Sequence, residues 1–181
     1  MGAMTANDSV TSLSHALDQV SELLEGVHED NLHHATPCHD WDVAQLVGHL
    51  VGGVRKFTEA ARGQQPDWSA GPDPVTGSWT ATFDAAADDL RHAWHQAGDN
   101  ASPQAVDWQV AELAVHAWDL ARALGQPTSG LDSEVAERGL AFMSQGLTAE
   151  NRGEAFDEPV PISDDAPAPD RIAAFAGRDP S

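Results

Sequence analysis

The stretch Val106-Asp107-Trp108-Gln109-Val110-Ala111-Glu112-Leu113-Ala114-Val115-His116-Ala117-Trp118-Asp119-Leu120-Ala121-Arg122-Ala123-Leu124 decides the fold. Its apolar residues recur in steps of three and four, at Val106, Val110, Leu113, Ala117, Leu120 and Leu124. That is the period of a helix with one face against a core. The helix starts after Pro103 and is stopped by Gly125 and Pro127. Advancing about 100° per residue from Leu113, the apolar stripe covers roughly −20° to 60°, while His116 falls near −60° and Glu112 near −100°. Both lie on one flank of the seam. Being four residues apart, they point from adjacent turns toward one spot, the spacing by which a single helix supplies two metal ligands.

Working outward, the same alternation predicts three further core-facing helices. The first carries Val10, Leu13, Leu17, Val20, Leu24 and Val27. The second carries Val43, Leu46 or Val47, Leu50, Val54 and Phe57, entered through Thr36-Pro37 with Asp40 as N-cap. The third carries Trp79, Phe83, Ala87, Leu90 and Trp94, between the cap Ser78 and the stop Gly98. A fifth helix runs from about Ser133 to Leu147, with Ala136, Leu140 and Met143 on one face. Residues 157–169 hold four prolines and read as an extended strap, followed by a short helix bearing Ile172 and Phe175. Gly63 to Gly77 is a long crossover loop. No stretch alternates as a strand does, and no internal repeat is evident. The expected fold is an all-α four-helix bundle with one long crossover loop, a C-terminal helix and an extended tail. Residues 1–8 are expected to be a disordered N-terminus, with Met1-Gly2-Ala3 a non-native leader ahead of Met4. Residues 9–149 form the bundle, and 150–181 the strap and short helix packed on it.

Charge narrows the partners. Nine Lys plus Arg stand against 29 Asp plus Glu across 181 residues, a net charge of −20, and Lys56 is the only lysine. Phosphate backbones and anionic membrane surfaces would be repelled, so neither nucleic acid nor a membrane is expected as a partner. No apolar run approaches the roughly 20 residues that cross a bilayer, and a soluble, cytoplasmic protein is expected. The single cysteine, Cys38, excludes an internal disulfide and a cysteine-rich zinc cluster. Any metal must use His, Asp or Glu.

Nine histidines in a chain without tyrosine are the most informative residues. In the second helix, with Leu46 at zero, His49 falls near −60°, at the edge of the stripe beside Gly53 near −20°. His92 and His95 lie opposite their stripe, near 200° and 140° from Leu90, and read as solvated. His15 faces away from the core, and His28, His33, His34 and His39 gather at the connection into the second helix. A Glu–His pair at i, i+4 is also the spacing of an exposed ion pair, and a lone edge histidine that of a hydrogen-bonded one, so phase alone leaves these readings open. Two flanking sites on two different core helices, in a chain without cysteine ligands, bring the metal reading level with the others.

The segments Thr36-Pro37-Cys38-His39-Asp40-Trp41-Asp42-Val43, His49-Leu50-Val51-Gly52-Gly53 and Glu112 to Arg122 resemble the actinobacterial metal-binding proteins of the DinB-like superfamily, which include the mycothiol-dependent maleylpyruvate isomerases. The tail, Pro159 to Ile162, Asp170 to Ile172 and Gly177 to Pro180, is similar to that family's ending. The resemblance implies a four-helix bundle holding one divalent ion, zinc first and nickel or another transition metal next, through His49, Glu112 and His116. It further implies mycothiol or a similar low-molecular-weight thiol as cofactor, and isomerase or S-transferase chemistry on a small molecule; the sequence leaves the oligomeric state open, a homodimer being one option. The other reading is a non-catalytic, stress-associated metal-binding bundle. Around the triad, Asp119 either fixes the tautomer of His116 or pairs with Arg122 or Arg55, the pairing being favoured. Trp41 and Trp118 either wall a pocket or pack in the core, Cys38 is taken as structural, and Arg55 and Arg62 either hold an anion or pair on the helix surface.

Overall fold

The computed structural model describes residues 6–39, 41–72, 74–152 and 156–181. Six α-helices make up the architecture: α1 (Ala6–Leu24), α2 (Val43–Ala61), α3 (Trp79–Ala97), α4 (Pro103–Ala123), α5 (Ser133–Gly146) and α6 (Ala168–Phe175). Among the described residues there is no named strand, only an isolated bridge between Ala35 and Asp42. The fold is an all-α helical bundle, as the periodicity implies. Helix α1 opens at Ala6, ahead of the boundary expected at residue 9.

The helix ends follow the local chemistry. Ser78 caps α3, which closes on Gly98 at φ 54°. Ser102 caps α4, with Pro103 in its first turn. At α2 the cap is Asp42: its carboxylate accepts from the Gln45 N–H at 2.9 Å, and the Gln45 side chain accepts from the Asp42 N–H at 3.0 Å. Asp40, the cap expected from the sequence, lies outside the described residues. Asp42 wins because only from the residue immediately before the helix does a carboxylate reach the N3 amide while glutamine at N3 reaches back.

Helices α1 to α4 close a ring in which α4 packs on α1 and α2, and α3 on α1 and α2. Leu17, Val20, Leu46, Val47, Phe83, Leu90, Val110 and Leu120 fill its centre, each 0% exposed. Helix α5 and then α6 lie against α4 from outside the ring. This is why α4 is buried almost all round: Ala111, Val115 and Trp118, off the predicted stripe, face this second layer. Gly139 on α5 permits the approach, because a Cβ there would stand 2.7 Å from Ile172 Cδ1 and 3.0 Å from Ala111 Cα. Arg138 ties three helices, donating from Nε to Asp107 on α4 and from Nη2 to Ser9 on α1, both at 2.6 Å. The long connection between α2 and α3 is pinned by Lys56, whose Nζ donates to the Ala70 carbonyl at 2.7 Å.

Candidate metal centre

Helices α2 and α4 bring His49, Glu112 and His116 together on the flank the phases select. One nitrogen or oxygen from each of the three lies within 4.8 Å of the others. Glu112 Oε1 is 3.3 Å from His49 Nε2 and 3.7 Å from His116 Nε2, and the two imidazoles meet edge-on with centroids 4.7 Å apart. Two imidazoles and a carboxylate are a donor set that fits a divalent transition ion, which such ligands would hold at about 2.0–2.2 Å. In the protein alone they neutralise one another. Burial favours an uncharged Glu112, but hydrogen bonds from His116 and His49 outweigh it and hold the carboxyl far below its ordinary range. Burial likewise opposes charge on His116, yet hydrogen bonds to Asp119 and Glu112 raise its pKa to about 9.

Behind the triad is a buried relay. His116 Nδ1 lies 3.1 Å from Asp119 Oδ2, which leaves Nε2 as the nitrogen turned to Glu112. Asp119 is 0% exposed and is gripped by Arg178, which donates from Nε to Oδ1 at 3.1 Å and from Nη2 to Oδ2 at 3.0 Å. The pairing favoured from the sequence is therefore corrected: Asp119 meets neither Arg122 nor Arg55. Arg122 lies over the Trp118 ring and donates to the Ser181 carbonyl. A fixed tautomer on a ligating imidazole is what such a carboxylate provides. Gly177 sets Arg178 in place, at φ 87° and with no room for a Cβ, which would fall 2.6 Å from Asp157 Cβ.

The segment before α2 builds the wall. The Thr36 hydroxyl bridges the Cys38 and Trp41 carbonyls at 2.9 and 2.8 Å, and the Trp41 N–H closes the turn onto the Cys38 carbonyl. Trp41 thereby lies beside His49, centroids 4.3 Å apart. Trp118 is instead a core residue, 1% exposed, donating from Nε1 to Asp170 at 2.8 Å. From the triad a cleft of about 450 Å³ runs past Gly53 and Phe57 to the crossover loop at Trp68 to Pro72. Trp108 also lines it, and this residue was legible in retrospect, because 108, 112 and 116 repeat every four positions on one helix face.

The remaining candidates stay outside. His15, His28, His33, His34, His39, His92 and His95 are exposed. His33 contacts Asp42 and His15 lies near Asp132. Arg62 pairs with Asp89, and neither it nor the exposed Arg55 lines the triad's cleft. Cys38 is half-buried.

A helical bundle whose core-edge helices present two histidines and a glutamate to a cleft defines a class of candidate metal-site bundles. Within it, this chain belongs to the family described as the mycothiol maleylpyruvate isomerase N-terminal domain, which matches residues 13–121. Two uncharacterized proteins from two strains of Mycobacterium tuberculosis are each 29% identical to it over 187 residues, covering 94% of this chain and 98% of theirs. No solved structure matches. Among the described residues no helix is long and apolar enough to cross a membrane.

Proposed function

We propose that the protein is a cytoplasmic, metal-dependent isomerase or S-transferase that joins a low-molecular-weight thiol of the mycothiol type to a small conjugated molecule. The observation that carries this reading is the placement of the His49, Glu112 and His116 donors on the wall of a cleft rather than inside the core. A purely structural ion is enclosed by protein ligands, whereas three ligands beside a cavity leave room for a reacting molecule.

A divalent ion held by the triad, zinc first by this donor set, supplies Lewis acidity that lowers the pKa of a thiol or polarises a carbonyl. The chain's own residues do the rest. Asp119 holds the His116 ring so that Nε2 faces the cleft. Trp41 covers His49, and Leu50, Val54 and Leu113 keep the cleft apolar, which strengthens every charge interaction within it. In the reaction, the thiol loses its proton and its sulfur bonds to one carbon of a C=C bond, while the neighbouring carbon takes up a proton. The product is either released as the S-adduct or, after rotation about the new single bond, loses the same proton and thiol to give the other isomer.

The test is thiol consumption or isomer formation by zinc-loaded protein with a conjugated electrophile, followed chromatographically. Turnover that disappears in Glu112→Gln supports the reading. Stoichiometric metal without turnover of any thiol and electrophile pair would replace it with the non-catalytic metal-binding bundle.

A further inference from the structure

The cleft that holds the triad is also lined by three aromatic rings. Trp68, on the crossover loop, lies 5.4 Å from Phe57 and 4.9 Å from Trp108, and Phe57 and Trp108 meet edge-on at 5.4 Å. Among the described residues, Trp68 and Trp108 are the exposed large hydrophobic side chains, at 45% and 43%. Two indoles left in water next to each other are costly unless something covers them. Both line the same cleft as His49, Glu112 and His116, so whatever covers them also approaches the triad.

Charge selects the occupant. Among the described residues Lys56 is the only Lys or Arg lining the cleft, and its Nζ donates to the Ala70 carbonyl at 2.7 Å, holding the loop that carries Trp68. No guanidinium is there to bind a carboxylate as a fork. A chain of net charge −20 repels a dianion before it arrives. A planar, uncharged group gains contact with both indoles and loses no charge hydration.

We infer that Trp68 and Trp108 form a stacking subsite for a neutral, planar part of the electrophile, so that the substrate is an aromatic or extended conjugated compound and not a dicarboxylate. This rests on the proposed thiol chemistry for the identity of the reaction, but the subsite itself is tested by binding alone.

Calorimetric titration of the full chain with benzylideneacetone and with maleate, without metal or thiol, measures the subsite directly. Benzylideneacetone is expected to bind at least tenfold more tightly than maleate. Trp68→Ala and Trp108→Ala should each weaken it about three- to tenfold, the range of an aromatic contact beyond its area. Both side chains are half in water, so the variants should stay folded, which circular dichroism checks. The double variant Trp68→Phe, Trp108→Phe keeps the packing, and in it benzylideneacetone should quench tryptophan fluorescence much less than in the wild type, the remainder coming from Trp41 on the same cleft. Maleate binding as tightly as benzylideneacetone, no binding of benzylideneacetone at millimolar concentration, or quenching undiminished in the double variant overturns the subsite. Titration of Glu112→Gln separates the two readings: benzylideneacetone binding that persists there, with no thiol turnover in the wild type, removes the proposed reaction and leaves the subsite. Maleate turnover untouched by both alanine variants does the reverse.

Discussion

Arg178, three residues before Ser181, grips Asp119 in the middle of the bundle through two hydrogen bonds of 3.1 and 3.0 Å, and Asp119 in turn holds His116. The segment after the bundle is thus part of the candidate metal site. Removing the guanidinium leaves a carboxylate that is 0% exposed beside a single partner. Arg178→Leu should therefore lower the stability of the metal-free protein by about 3–5 kcal/mol in urea unfolding. In protein that still folds, it should weaken metal binding about 10- to 100-fold, the usual effect of losing a group that orients a ligand. Arg178→Lys, which cannot make both bonds, should fall between.

Metal binding should require His49, Glu112 and His116 together. Each is one of three donors, so His116→Ala should cost several kcal/mol of the roughly 10–16 kcal/mol typical of a full structural zinc site. Elemental analysis after dialysis against zinc or nickel checks this. His92→Ala with His95→Ala, both exposed on α3, should retain metal like the wild type. Stoichiometric metal in His116→Ala would exclude this ligand set.

The metal-free protein should be most stable at mildly acidic pH. The His116 pKa rises on folding from its ordinary 6.5 to about 9, so its contribution is complete below about pH 6.5 and is lost as pH climbs through 9. Glu112 and Asp119 shift the other way, so theirs is present above the ordinary carboxylate range and disappears on strong acidification. Urea unfolding at pH 6 and pH 9.5 should differ by a few kcal/mol in the wild type, and much less in His116→Ala. A wild-type protein equally stable at both would contradict the buried His116–Glu112–Asp119 arrangement.

Gly53 should tolerate a side chain and lose access. It faces the cleft one turn after His49, and a Cβ built there meets nothing within 4 Å. Gly53→Ala should stabilise α2 by about 0.5–1 kcal/mol, as expected for removing a glycine from a helix interior. Gly53→Leu should fold and keep its metal. In the cobalt-loaded wild type the visible spectrum should change when a small thiol is added, and Gly53→Leu should suppress that change. Loss of metal in Gly53→Leu would mean that the glycine serves packing after all.

Helix number, helix positions and the flank on which each of His49, Glu112 and His116 lies could be read from the chain because they depend on local periodicity, whereas joining the three into one set took the resemblance. Leu113, Ala117 and Leu120 define a stripe, and a fixed angle per residue then puts Glu112 and His116 on its flank whatever else the protein does. The same reasoning separated His49 from the exposed His92 and His95. The cap was legible where a serine directly precedes the helix at Ser78, but the choice of Asp42 over a nearby aspartate depended on a reciprocal bond with Gln45. Contacts across long sequence separations had no such signal. Asp119 could be placed near His116 by spacing, yet its grip by Arg178, 59 residues away, exists only because α5 and α6 pack against α4 and return the tail to the bundle. Trp68 likewise meets Trp108 because the crossover loop, tied to Lys56 and packed on Phe57, returns over the cleft. Periodicity assigns a residue to a face, whereas which side chains face one another across a cavity is decided by how helices and loops close, and that is a property of the tertiary structure.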